Sequence, residues 1–535
     1  VWDKSDNALE FGDNAKAIFG AGGDLEIYHS GSHSIIKDGG TGNLQINAGN
    51  LNINNVANSA NIIVGNDGGA VKLFHDGSNK LETTSSGVTV TGSLTSNGLA
   101  SSTSGTSNFV AGVNAGDAIT SGGNYNVFIG DEAGTAITDG ARNIAIGYNA
   151  LSTDDSGDRT IAIGYEALKD MNVNGTSYNL AIGYNTGASV TIGTKNNFIG
   201  SLSGDSITEG SQNVALGTET LSSDTLGSRS VAIGQGALFA QNFTTASNSF
   251  NVAIGYESGV SITTGQSNSL VGYESGKSLT TGFANTVLGS AALSTEDTGR
   301  YNVAIGAGTL ENQNSDVDNY NVAVGYNAGN DVTTGVQNTL IGGEAGDALT
   351  EGDQNVAVGF GALTQDTLGN YSVAIGREAL YAQNQTTATN TYNTAVGYKA
   401  GTSVTTGIRN TIIGGLAGDA LTVGVDNVAI GTDALSTDTD GHRTVAVGKG
   451  ALNSQLFGTG TNTYNVAVGY EAGTSVTSGT GNTLIGGQSA DALTTGGENT
   501  SVGYLALTTD TAGSRSTAIG RGALATQNFT TSTNA

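Results

Sequence analysis

The sequence predicts an all-β chain, most of it an elongated β-solenoid or β-roll of 17-residue coils grouped in four-coil super-repeats. Three observations predict it. From residue 108 to 535 one unit recurs: Asn, Ser or Thr, then small and aliphatic residues, then Gly. Gly makes up 84 of 535 residues with no Gly-X-Y period, which excludes collagen, and the regular aliphatics argue against a disordered tract. Pro is absent, as expected of a chain held almost throughout in hydrogen-bonded strands and tight turns, because Pro cannot donate to a ladder. A helix does not fit, since Gly and β-branched residues dominate each unit.

In chain order, residues 1–100 read as short β modules. DLEIYHSGSHSII (24–36) and AVKLFHDGSNKLE (70–82) are two copies of one motif, each with an aromatic-His pair and a Gly-Ser turn. Alternation bounded by Gly, Asn, Asp and Ser predicts strand-turn-strand. GVTVTGSLTSNG (87–98) reads as one more strand and turn, and 101–107 as a junction.

From Asn108 the strand Gly recurs 24 times, from Gly112 to Gly520. The spacing is 17, with 18 at the first step, and every fourth step lengthens to 19 or 21. The super-repeat is therefore four units, 70–72 residues. Two units of each four carry Gly four residues after the strand Gly and an aliphatic at seven (Ile262, Leu279); the other two carry Leu at four (Leu293, Leu310). Each unit is expected to form two short strands joined by tight turns, one solenoid coil that its neighbours must cover. The last unit stops mid-repeat, so the chain reads as a segment of a longer protein.

Both strand faces are small or apolar. Val252 and Ile254 point one way, Ala253 and Gly255 the other. One face can fill the coil; the other suits close approach of a second chain. Self-association along the whole length is expected, with cyclic, three-fold symmetry.

Charge narrows the partners. The net charge is −27, although charged residues are only 12% of the chain. Such a surface repels nucleic acid and anionic membranes, and no apolar run reaches the length of a membrane span. Neither a nucleic-acid partner nor membrane insertion is expected. The absence of Cys excludes a disulfide framework and zinc-cysteine sites.

The NVAIG and NTLIG strands, each followed by a small residue, resemble the left-handed β-roll heads of trimeric autotransporter adhesins, although the repeat there is usually shorter. The aromatic-His-[Ser/Asp]-Gly-Ser modules (28–32 and 74–78), with SGVTVTGSL, resemble tail-fibre and related structural proteins of marine phages, especially cyanophages. That second resemblance covers nearly the whole chain. It implies a homotrimeric, extracellular virion fibre that joins other tail or fibre proteins. Such a fibre extends toward or adsorbs to a host surface glycan or protein receptor, without catalytic residues. The alternative is a bacterial surface adhesin or extracellular filament; a glycan-degrading tailspike or an ice-binding protein ranks below both.

Candidate sites were weighed against plainer readings. The strand-initiating Asn (Asn251, Asn268, Asn285, Asn302, Asn321) is expected to form an amide ladder and satisfy turns. An acid three residues before Gly (Asp154, Asp224, Glu296, Asp366, Asp438, Asp510), often followed by Arg (Arg159, Arg229, Arg300, Arg443, Arg515), suggests a calcium loop. An Asx turn with an Asp–Arg surface pair is favoured, because Ca²⁺ takes six to eight oxygens and the GGxGxD pattern is missing. Thr pairs (Thr263-Thr264, Thr280-Thr281, Thr333-Thr334, Thr405-Thr406) suggest an ice-binding array, interrupted by every third and fourth unit; β-favouring Thr before a turn is the plainer account. His29, His33, His75 and His442 form no HxH pair and read as turn-adjacent surface residues. Tyr256, Tyr273, Tyr301, Tyr320 and Tyr326 either stack on sugars or, the favoured reading, cover coil edges and inter-chain seams. Acidic residues recur with the repeat, which argues against one unique pair of glycan-cleaving carboxylates. No catalytic, cofactor or metal residue is assigned, and no enzyme activity is expected.

Overall fold

In a computed structural model the described residues are 2–55, 57, 60–85, 87–91, 103–531 and 533–534. The chain divides into two compact units, Val1–Leu99 and Ala100–Ala535. All secondary structure among the described residues is β-strand and turn, with no helix.

The first unit is antiparallel. Lys16–Phe19, Leu25–His29 and Ser34–Asp38 form a three-stranded sheet. Five consecutive strands between Asn50 and Val90 form a meander. Both copies of the aromatic-His motif are hairpins, closed around His29/Ser34 and His75/Ser78. The turn expected after Val90 lies outside the described residues, as does part of the 101–107 junction. No described residue of this unit is buried. Trp2, Phe11, Ile18, Phe19, Ile36 and Val88 are each more than half exposed.

The second unit is a parallel β-solenoid. One 24-stranded sheet runs through it, with one three-residue strand from every coil. Register is unbroken: Val252, Ala253 and Ile254 pair with Ser269, Leu270 and Val271, which pair with Thr286, Val287 and Leu288. The middle residue of each strand points inward. Ala253, Leu270 and Val287 are buried, while Val252 and Ile254 are half-buried on the outer face.

The strand Gly is set by backbone contact. Gly255 has φ +139°, and a Cβ there would lie 2.2 Å from the carbonyl oxygen of Gly272. No side chain fits, which explains why every unit keeps this Gly. Core filling then alternates. In the first two coils of a super-repeat, Gly259 and Gly276 turn left-handed and Ile262 and Leu279 fill the coil. In the last two, Leu293 and Leu310 take the left-handed position themselves, at φ near +50°, and are fully buried. Non-Gly residues in this region cost roughly 1–2 kcal/mol, which burial of a Leu offsets.

The second strand expected in each coil does not form. Left-handed residues at Glu257 and Gly259 break the extended chain immediately after the Gly. That path is a run of turns, bonded to the next coil by single contacts such as Gly259 N–H to Ser275 O at 3.0 Å. Only where the last coil of a super-repeat is lengthened does a two-residue parallel pair appear, as between Gly227–Ser228 and Ser247–Asn248.

Candidate functional site

Two features stand out in the solenoid: a polar seam in its interior and an apolar face on its exterior. The seam begins with the strand-initiating Asn. Asn268 N–H donates to Asn251 Oδ1 at 3.0 Å, and Asn285 N–H donates to Asn268 Oδ1 at 3.1 Å. Asn268 Nδ2 also donates to Gly282 O at 2.9 Å. Each Asn thus satisfies backbone groups one coil onward, and the expected amide ladder is present.

The repeated acids join this seam. Asp224 is fully buried. Its Oδ1 accepts the N–H groups of Gly227 and Phe243, each at 3.0 Å, and its Oδ2 accepts Gln241 Nε2 at 2.6 Å. Gln241 Oε1 accepts Asn251 Nδ2 at 2.9 Å. The same acid–Gln–Asn chain links Glu296, Gln313 and Asn321, and links Asp438, Gln455 and Asn465. Burial pushes Asp224 and Glu296 up from the usual carboxylate range against the pull of these donors. The expected turn is there, but the Asp–Arg surface pair is not. The carboxylate faces inward and takes its donors from amides, while Arg159, Arg229 and Arg443 turn outward over Tyr178, Phe250 and Tyr464 at 5.7–5.9 Å. A calcium ion would have to displace amide N–H groups already bound to the same oxygens.

One seam is incomplete. Met171, the only methionine, occupies the Gln position beside Asp154. Asp154 Oδ1 accepts Gly157 and Val173 N–H, but Oδ2 is buried without a partner. Burial pushes Asp154 up to about 7.

On the outside, the Thr row is longer than its pairs suggest. Thr208, third-coil Thr225 and Thr422 continue it, each hydroxyl donating to a carbonyl of the next coil. The third coil therefore belongs to the row, and the hydroxyls are committed to the backbone. His442 Nδ1 accepts Val425 N–H at 2.9 Å and His29 Nδ1 meets Asp13 Oδ1 at 2.8 Å, both beside turns. Among the described residues, Asp3, Asp6 and Glu10 are the acids close enough to share a cation, and Asp3 already accepts Ser5 N–H and Oγ–H.

The sheet's outer face carries two rows: the residue one before each strand Gly, aliphatic or Ala throughout, and the residue three before it, apolar and chiefly Val in 15 strands and Thr, Ser or Asn in nine. Aromatic rows flank it. After the Gly, Tyr148, Tyr165 and Tyr184 stack at 5.3–5.4 Å between centroids. Before the Asn, Tyr301 stacks on Tyr320 and Tyr371 on Tyr392, at 4.9 and 5.3 Å. These rings are exposed. Sequence reading found the rings but not their alignment into two rows bordering one face; numbering each residue from the strand Gly reveals it.

Comparison with known proteins finds no matching family model, no similar curated protein and no matching solved structure.

Proposed function

We propose that this chain is the shaft of a non-enzymatic, homotrimeric extracellular fibre, a virion tail fibre that reaches toward or adsorbs to a host surface. The outer face of the 24-stranded sheet carries the reading: the residue before each strand Gly is aliphatic or Ala throughout, and the residue three before it is apolar in 15 of the 24 strands and Asn, Ser or Thr in the rest. At about 4.8 Å per coil the solenoid is roughly 115 Å long, and a double row about 10 Å wide, mostly apolar with Thr interspersed, offers roughly 1,000 Å². A standard interface needs about 800 Å² from each partner. The first unit supports the same reading, because a β unit with no buried residue among those described gains a core by association. The seam residues suit a structural role: they are interior, repeated and, apart from Asp154 Oδ2, engaged in hydrogen bonds within the solenoid. Attachment to a receptor is the part of the proposal carried by resemblance.

Light scattering with negative-stain imaging tests it. A rod at three times the chain mass, inert toward host polysaccharide, is the expected result. A monomer that stays monomeric at micromolar concentration would overturn the trimeric fibre.

A further inference from the structure

The two borders of the apolar face carry opposite charge. Before the strand Asn runs a row of 24 exposed or half-exposed positions, one per coil, that holds seven of the solenoid's 14 Lys and Arg residues, among them Arg142, Arg159, Arg229, Arg409 and Arg443. Its two acids, Asp426 and Glu498, are already paired within the row to Arg409 and Arg515. Two residues after the strand Gly runs the opposite row. It holds nine acids, among them Glu132, Glu166, Glu219, Glu257 and Glu274, and one Lys. Glu166 pairs with Lys169, and Glu257 and Glu274 share Lys277, yet acids still outnumber cations along the border. Against a net charge of −27, a net cationic row is not an effect of composition. Chain direction is the same in every coil, so the order across the face is fixed: Arg row, Val row, Ile row, Glu row.

The acidic border is also built to be recognised. Tyr165, Tyr256, Tyr273 and Tyr470 are each held above the usual phenol range by a hydrogen bond to the Glu that follows. The edge therefore presents rings and carboxylates together. Guanidinium groups pair with carboxylates and stack on rings, and Arg159 already stands over Tyr178 within its own chain.

We propose that copies of this chain pack with their chains running parallel, the Arg-rich border of one against the Tyr/Glu border of the next. Symmetry decides the direction. Parallel rods facing each other are related by an axis along their length, which sets each Arg row opposite a Glu row. Antiparallel rods are related by an axis across the face, which sets Arg against Arg and Glu against Glu. Like charges in register along the rod oppose that arrangement, and complementary ones steer the other. The inference rests on the self-association proposed above and adds the pairing of its charged borders.

The test is a charge swap in the full chain, read as molar mass by light scattering over a dilution series at low and high salt, with circular dichroism as the folding check. Reversing one border (Arg142→Glu, Arg159→Glu, Arg229→Glu) should weaken association at least tenfold. Adding the opposite reversal (Glu132→Arg, Glu219→Arg, Glu257→Arg) should restore it. If the reversed chain does not fold, neutral Arg→Gln changes at the same three positions should weaken association about threefold. Wild-type association that is unchanged by either Arg series, or not rescued by the second reversal, would overturn the pairing of the Arg border with the Tyr/Glu border while leaving self-association standing. A wild-type monomer would overturn both.

Discussion

Asp154 and Met171 form a natural variant of a seam the chain repeats elsewhere. In the other seams a Gln amide donates to the second carboxylate oxygen; at Asp154 a thioether sits in its place. Asp154 has its folded value raised to about 7 from 3.8. The folded chain then holds a proton that the unfolded chain releases between about pH 4 and 7, so this group's stability is full below that window and is lost as pH rises through it. Met171→Gln supplies the missing donor to the ionised form. It is expected to add about 1–3 kcal/mol at pH 8 and less at pH 5, measured by urea denaturation at the two values. The reverse change, Gln455→Leu, strands the carboxylate of Asp438 and should cost about 3 kcal/mol at pH 8, seen in the same titration.

One coil is held to the next by the Asn ladder as well as by the core. Asn268→Ala would orphan the Asn285 N–H and the Gly282 carbonyl, both inside the solenoid. A loss of about 2–4 kcal/mol is expected, with faster amide exchange at Asn285 than at Asn410, which keeps its own ladder bond. This element was legible because the repeat fixes which position is which: strand, Gly and Asn follow from spacing alone. Two things were not. The second strand is expected from the aliphatics seven after the strand Gly, such as Ile262 and Leu279, but left-handed backbone at Glu257 and Gly259 prevents it, and a half-buried Glu gives no sign of a positive φ. The acids read as Asx-turn residues with a surface Arg partner because each stands three before a Gly that Arg often follows. The signal was positional: Asp224 sits where Ile262 and Leu279 sit, seven after the strand Gly, which is a core site. The Gln seven residues after the next strand Gly completes the pair, and Gln241, Gln313 and Gln455 all obey that count.

At the scale of the whole molecule, folding and association should be separable. The solenoid fills its interior within one chain, so its outward Val and Ile contribute little to the coil and much to any contact beyond it. Ile254→Ser and Ile305→Ser change half-buried positions and leave Ala253 and Ala304 in place. The β-sheet signal in circular dichroism should therefore persist, while the oligomer dissociates at a higher protein concentration than wild type. Replacing the inward Leu270 by Ala is the control. It removes a fully buried side chain and should cost about 2–5 kcal/mol with no direct effect on the outer face. The first unit should report the same equilibrium, because no described residue in it is buried. Proteolysis should cut residues 1–99 readily in the dissociated Ile→Ser variant and slowly in the wild-type oligomer. Equal cleavage in both would mean that association along the solenoid does not cover the first unit, and its exposed Trp2, Phe19 and Ile36 would then need a different partner.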